Sequence, residues 1–271
     1  MADILLCMNK NILMCPAEYF GIEYEINSWM HTENRVDQKI AKKQWQDLYD
    51  IYTQKLGWEV KLIEPIQGLP DMVFATDCCL MMNDKILLSN FRYPERQPET
   101  DYFEKWLHNN GYTNTKRAEH IFEGGGDNIV CGDKILAGHG FRSDIRAADE
   151  MRKYFDCEVV SIKIVDPDFY HLDTSMAVLS DNTVAYYPGA IDEESQNRLK
   201  KAIPNLIEAT HEEAKGFGLN AVSDGRTVIT SNESESLLQK YRSAGFEVIG
   251  TSILEFRKSG GGVKCMTLEL R

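Results

Sequence analysis

At 271 residues the chain is long enough for one large α/β domain or two small ones with a sizeable buried core. Its 43% hydrophobic and 27% charged residues match an ordinary soluble globular protein. A formal net charge of −12 argues against nucleic acid or an anionic membrane surface as partner, because both need clustered Lys and Arg.

No apolar run approaches the roughly 18 to 20 residues that span a bilayer. The start, from Met1 to Cys7, lacks a basic region and is too short for a signal peptide. Seven cysteines, odd in number and without metal-ligand spacing, read as reduced thiols of a cytoplasmic protein. Most are expected to be small core hydrophobes, and the neighbours Cys78 and Cys79 do not suit a simple disulfide framework.

In chain order, residues 11–15 read as a strand, and residues 36–56 carry Ile40, Trp45, Leu48, Ile51 and Tyr52 at helical steps before a strand at 59–63. Residues 72–82, the turn Asn83-Asp84 and residues 85–88 make a hairpin, followed by a helix at 100–109. The pattern recurs around Gly132-Asp133, with a helix at 144–154 and a strand at 158–162. It recurs around Asp181-Asn182, with a helix at 192–202, and around Asp224-Gly225, with a helix at 233–244 capped by Gly245 and a strand at 247–249. The final stretch sets Gly260, Gly261 and Gly262 before an alternation that predicts a strand, with Cys265 at its entrance.

The four turns lie 49, 49 and 43 residues apart, which is a repeat period. The module is hairpin, helix, strand (ββαβ), and pairing the C-terminal strand with residues 11–15 would close a fifth copy. The expected architecture is α/β: a ring of about five modules with hairpin ends facing a central axis. No Pro/Ser linker or low-complexity segment interrupts it, so residues 1–271 read as one domain.

Polar residues ill-suited to the middle of a hairpin recur at equivalent places. They are Asp77, Glu123 before Gly124-Gly125-Gly126-Asp127, His171 with Asp173, and Cys265 after its glycines. His171 and Asp173 would share a side if the segment were extended. In a ring all four loci converge on the axis. Alone, His-x-Asp is more often a surface pair, Glu-Gly-Gly-Gly-Asp a turn, and a lone Cys a buried thiol.

Together they suit one chemistry. A thiol near pKa 8.5 is only slightly ionised at neutral pH, and a cationic substrate or a nearby His171 would raise the thiolate fraction. Asp77 and Asp173 could grip a planar cation through charge-assisted hydrogen bonds of roughly 1.5–3 kcal/mol each. His171 would then serve as acid to the leaving amine and base to water, oriented by Glu123. The substrate this predicts is a guanidinium or amidine attacked at its central carbon.

In this order of Asp77, Glu123 to Asp127, His171-Leu172-Asp173, glycine turn and Cys265, the chain resembles the guanidino-group-modifying superfamily, the penteins, over essentially its whole length. The resemblance implies a five-fold pseudosymmetric α/β propeller and a covalent thiouronium on Cys265. It implies Glu123 as well as Asp77 and Asp173 on the guanidinium. It also assigns Arg96 and Arg142, nineteen residues after Asp77 and Glu123, to a substrate carboxylate. His-x-Asp looks like the arginine deiminase and amidinotransferase pattern, whereas dimethylarginine dimethylaminohydrolases usually lack the second acid. The compact length and the stretches 14–20 and 26–30 look like the catalytic domain of arginine dihydrolases, with Asn27 a substrate-loop contact or a turn cap. That group is expected to carry Asn where Asp77 stands, so hydrolysis of arginine is the expectation and a second round on citrulline is in question.

Three alternatives stand beside arginine hydrolysis. A dimethylaminohydrolase or amidinotransferase differs in leaving group or acceptor. A non-catalytic pentein such as a ribosome anti-association factor would lack the Cys265, His171 and acid set. A metal enzyme finds no zinc-ligand spacing, and Asp127, Asp133 and Asp144 are too ordinary to indicate calcium. No cofactor is expected, and the partner is a small guanidino molecule, with a homo-oligomer left open.

Overall fold

The computed structural model describes residues 10–271, so the Met1 to Cys7 start read above lies outside the described residues. Fifteen short strands form five three-stranded sheets, one per module. In chain order β1 (Asn11–Met14) pairs in parallel with β2 (Glu59–Leu62). Next, β3 (Cys79–Met82) and β4 (Lys85–Leu88) form an antiparallel hairpin, and β5 (Thr115–Arg117) joins β4 in parallel. The same order repeats in β6 (Asn128–Cys131), β7 (Lys134–His139) and β8 (Glu158–Lys163), and in β9 (Met176–Ser180), β10 (Thr183–Tyr186) and β11 (Asn205–Glu208). It repeats again in β12 (Val222–Ser223), β13 (Thr227–Ser231) and β14 (Glu247–Thr251). Finally β15 (Leu268–Leu270) runs antiparallel to β1 and completes the fifth sheet from the two ends of the chain. This is the five-fold α/β propeller expected from the repeat.

Helices Gln38–Asp50, Glu99–Asn109, Arg146–Phe155, Glu193–Ala202 and Glu235–Ser243 make the parallel crossovers. Asp37 caps the first by accepting the Lys39 and Ile40 N–H groups, and Asp192 caps the fourth through Ser195 N–H. Buried Ala41, Trp45 and Leu48 on one side, and Leu237, Leu238 and Tyr241 on another, face the sheets, so the core lies between blades.

Local structure departs from the sequence reading in four places. Residues 72–74 do not form strand, because Pro70–Val73 and Ala75–Cys78 are 3-10 turns and the strand begins at Cys79. Gly124–Asp127 and Leu172–Ser175 are single helical turns, so His171 and Asp173 are not on an extended segment. Cys265 likewise sits on a helical turn, with Met266 N–H bonded to Gly262 carbonyl, and the strand starts only at Leu268. Strands β5 and β11 fill the last place of the ββαβ module in two copies for which the sequence pattern marks no residues.

Each inner strand is thus entered through a tight turn. The bonds are Asp77 to Phe74, Asp127 to Glu123, Thr174 to His171, Asn220 to Phe217 and Met266 to Gly262, each backbone N–H donating to the carbonyl three or four residues earlier. These turns gather at one end of the axis. Toward the other end, the inner strands and the hairpin residues Gly132, Asp181 and Gly225 enclose a cavity of about 570 Å³.

Ring closure is buttressed by a buried bond between Tyr52 Oη and Thr267 Oγ1 at 2.9 Å, while Thr267 Oγ1 donates to Val263 carbonyl at 2.7 Å. Thr267→Val would leave the Tyr52 hydroxyl buried and unpaired, at a cost of about 1–3 kcal/mol. Thermal unfolding followed by circular dichroism should show Tm lowered by about 2–4 °C per kcal/mol. An unchanged Tm would mean that this bond does not support closure.

Candidate active site

The five turns deliver one constellation. Glu123 and His171 each stand five residues ahead of their strands β6 and β9, and Asp173 and Cys265 each stand three ahead of β9 and β15. Equivalent places in different modules therefore carry different chemistry. Asp77, Glu123, His171, Asp173 and Cys265 are all buried.

Cys265 Sγ lies 3.3 Å from Asp173 Oδ2, to which its S–H donates. Asn220, from the turn before β12, donates through Nδ2 to Sγ at 3.1 Å and to Asp173 carbonyl at 3.1 Å. Its Oδ1 accepts the backbone N–H groups of Lys264 at 2.8 Å and Cys265 at 3.3 Å. In the sequence Asn220 is an ordinary residue ahead of the Asp224-Gly225 hairpin, whose first strand starts at Val222. Its place in the module repeat was the signal available.

His171 Nε2 lies 2.8 Å from Glu123 Oε2, which also accepts from Arg142 Nη1 at 2.7 Å. The other ring nitrogen, Nδ1, faces Asp77 Oδ1 at 3.8 Å. Arg142 is sandwiched between the rings of Tyr93 and Tyr170 and donates to Ile26 carbonyl. Asp127 ties this group together, accepting Leu172 N–H on Oδ1 and Ser143 N–H on Oδ2. Gly126 is required here, because a Cβ would overlap Asp77 Oδ1 and the His171 ring.

Arg96 donates to Asp77 Oδ2 at 2.6 Å, makes a two-pronged pair with Glu99, and reaches Asp71 carbonyl. Four of its five N–H groups are thus engaged, whereas Arg142 keeps three without such a bond. Among the described residues, Asp77 Oδ1 and Asp173 Oδ1, like Asp71 Oδ1 and Glu95 Oε2, are buried oxygens that accept no hydrogen bond.

Asn27 lies in the irregular segment between β1 and the first helix, which covers the site. Its Oδ1 accepts the N–H groups of Trp29 and Met30, and its Nδ2 donates to Ser259 carbonyl at 3.0 Å. The side chain is a turn cap and a link across the site. Tyr24 Oη to Asp71 Oδ2 and Trp29 Nε1 to Asp168 carbonyl attach the same segment elsewhere.

Burial disfavours charge on Glu123, yet Arg142 and His171 outweigh it and hold the carboxyl well below the usual range. Burial would lower His171, but Asp77, Asp127 and Glu123 lift it to about 9, so it is an imidazolium at neutral pH. Burial and then the charge of Asp77 raise Asp173 to about 7. Burial, then Asp173 and Asp77, push the Cys265 thiol well up, against a hydrogen bond from Gly262. Among the described residues no group of three or more His, Cys, Asp or Glu is arranged to hold a metal ion.

Asp173 has a folded pKa above its unfolded value, so it binds a proton in the folded protein between about 3.8 and about 7. Stability from that proton is full at low pH and is lost as pH rises through 7. Asp173→Asn should therefore raise Tm at about pH 8 more than at about pH 5. Equal Tm changes at both pH values in differential scanning calorimetry would show that Asp173 does not titrate in this window.

Residues 17–271 match the family described as N,N dimethylarginine dimethylhydrolase, eukaryotic. A dimethylarginine dimethylaminohydrolase of Mycobacterium tuberculosis is 42% identical over 96% of this chain and 86% of its own length. The bifunctional arginine dihydrolase/ornithine cyclodeaminase AgrE of Nostoc is 37% identical over 95% of this chain, which spans only 37% of that longer protein. The N-terminal domain of the cyanobacterial arginine dihydrolase ArgZ, solved covalently bound to a reaction intermediate, superposes with a TM-score of 0.91 at 37% identity, covering 97% of this chain and 98% of that one. The chain belongs to the dimethylarginine dimethylaminohydrolase family of guanidino-group-modifying enzymes.

Proposed function

We propose that residues 1–271 form a single cytoplasmic catalytic domain that hydrolyses the guanidino group of L-arginine through a covalent intermediate on Cys265. The observation that carries this reading is that two of the buried carboxylate oxygens with no hydrogen-bond donor among the described residues, Asp77 Oδ1 and Asp173 Oδ1, flank the reacting groups, one 3.8 Å from His171 and the other on the residue bonded to the thiol. Buried acceptors without partners are costly, and a guanidinium supplies planar N–H donors to both.

Binding brings a positive charge against the thiol and favours release of its proton to water. Cys265 Sγ then attacks the guanidinium carbon and forms a C–S bond. His171, already protonated, gives a proton from Nδ1 to the departing nitrogen as the C–N bond breaks and ammonia leaves. Water adds to the thiouronium carbon and returns one proton to His171; the C–S bond then breaks as the new hydroxyl gives its proton to solvent, where ammonia takes it up, and citrulline and the thiolate are released. Glu123 holds Nε2 and balances the imidazolium throughout. Arg142, with spare donors, suits the substrate carboxylate, while Arg96 chiefly anchors Asp77. Asn27 acts as a latch of the covering segment.

Dimethylarginine is the second reading, favoured by the family match and the 42% identical relative. Arginine is preferred because its unsubstituted nitrogens offer N–H groups to both acids, whereas a dimethylated nitrogen offers none. Asp77 and Asp173 also suit a cation better than the neutral ureido group of citrulline, so one ammonia per arginine is expected.

Purified protein should convert arginine to citrulline with one equivalent of ammonia, and Cys265→Ser should lower kcat by about 10³-fold or more. Release of dimethylamine from dimethylarginine, with arginine untouched, would replace the substrate assignment. Ornithine with two equivalents of ammonia would make the enzyme a dihydrolase. No turnover of either substrate would overturn the hydrolase reading.

A further inference from the structure

We propose that Asn220 is a catalytic residue that stabilises the Cys265 thiolate through its side-chain amide, a step that rests on Cys265 being the nucleophile. The orientation of the amide is fixed by its neighbours. Two backbone N–H groups, those of Lys264 and Cys265, converge on one end of the side chain, and only an oxygen can accept them. The nitrogen must therefore face the other way, where its two hydrogens meet Asp173 carbonyl and Cys265 Sγ, each at 3.1 Å.

All four contacts tie Asn220 to the nucleophile turn or to the acid beside it, and the side chain is fully buried. The close approach depends on Gly262, where a Cβ would crowd Asn220 Oδ1. Around the sulfur, burial, Asp173 and Asp77 favour the thiol, and the Gly262 backbone N–H opposes them. Asp173 Oδ2 accepts the S–H and so favours the thiol, and Asp77 adds negative charge nearby. The Asn220 N–H does the opposite, since a donor to sulfur strengthens when the sulfur becomes an anion. It keeps a dipole aimed at the developing charge before substrate arrives, which is the preorganisation that lowers a barrier.

The fourth module is thereby given a place in the chemistry. Asp77, Glu123, His171 with Asp173, and Cys265 come from the other four, and Asn220 stands on the equivalent turn ahead of β12.

Asn220→Asp and Asn220→Leu are read together, because the first adds a charge that would itself raise the thiol pKa and the second removes the donor without adding one. Asn220→Asp retains an oxygen for the Lys264 and Cys265 N–H groups but replaces the donor to sulfur with a carboxylate oxygen. The test is the rate of iodoacetamide alkylation of Cys265, followed by peptide mass analysis to separate it from the other cysteines, between about pH 6 and about pH 10. The apparent thiol pKa should rise by about one unit or more, slowing alkylation about tenfold near neutral pH. With arginine, kcat should fall by a similar factor and recover as pH is raised, while KM changes little.

A wild-type alkylation profile in folded Asn220→Asp protein would reduce Asn220 to a tie for the turn. Asn220→Leu, similar in size and uncharged, must show the same upward shift, and a wild-type profile in folded Asn220→Leu protein overturns the proposal whatever Asn220→Asp does. Alkylation needs no substrate. A shifted profile together with no arginine turnover would keep the role of Asn220 and count only against the substrate assignment.

Discussion

Charge neutralisation in a buried chamber governs this molecule. Asp71, Asp77, Glu99, Glu123, Asp127 and Asp173 are all buried around the axis, and the cations built in with them are Arg96, Arg142 and His171. Burial alone would protonate such acids. Glu123 escapes because Arg142 and His171 both touch it, whereas Asp173 and Glu99 are raised to about 7 and Asp127 to about 6. Among the described residues Asp71 Oδ1, Asp77 Oδ1 and Asp173 Oδ1 accept no hydrogen bond, and of these Asp77 and Asp173 stand beside His171 and the Cys265 thiol. A cationic planar ligand completes the chamber electrostatically, and a neutral one does not.

The propeller makes that concentration of charge feasible. Each blade has its own sheet and apolar packing, so the turn at the head of an inner strand can carry an acid, a histidine or a thiol without interrupting a core. The turns must also approach one another closely. Gly124 adopts φ +45° against the backbone of Asp77, and Gly126 leaves room for Asp77 Oδ1 and the His171 ring. The Glu-Gly-Gly-Gly-Asp run is thus a spacing device between modules as well as the bearer of an acid at each end.

Much of this was legible in the residues. The hairpin period gave the modules, and acids, His171 and Cys265 at repeat-equivalent places gave a converging site. The strands that escaped, β5 and β11, are short, edge-placed and partly exposed, with the sequences Thr-Lys-Arg and Asn-Leu-Ile-Glu, so neither shows a buried face or clear alternation. The turns at Asp173 and Cys265 escaped because four residues are too few for helical periodicity to show. Their functional side chains nevertheless converge, since a helical turn at the head of an inner strand delivers them to the axis as an extended segment would have. Asn220 escaped for a different reason: an amide carries no chemistry of its own, and its role comes from two backbone N–H groups 44 and 45 residues away. Arg96 and Arg142 show the limit of pattern alone. The same spacing of nineteen from an acid produced a guanidinium with four of five N–H groups engaged in one case and one with three spare donors in the other.

The covering segment follows from the same division between core and chamber. Its roots are apolar: Phe20 stacks on Phe256 at 4.7 Å between ring centroids, and Met30 is buried. Its middle is held by single polar bonds to separate blades, from Tyr24 to Asp71, Arg142 to Ile26, Trp29 to Asp168 and Asn27 to Ser259. Such bonds contribute about 1 kcal/mol each, because water replaces them on release. Releasing the middle would expose Ile26 and the face of Trp29 that packs on Phe217, a small apolar area beside what separating the blades would expose. The acids behind it stay in position when it opens, because Arg96, Arg142 and the backbone N–H groups that hold them belong to the propeller itself. A chamber that must be buried for its electrostatics and open for its substrate is reconciled in this way, by charges fixed to the ring and a cover fixed only at its ends.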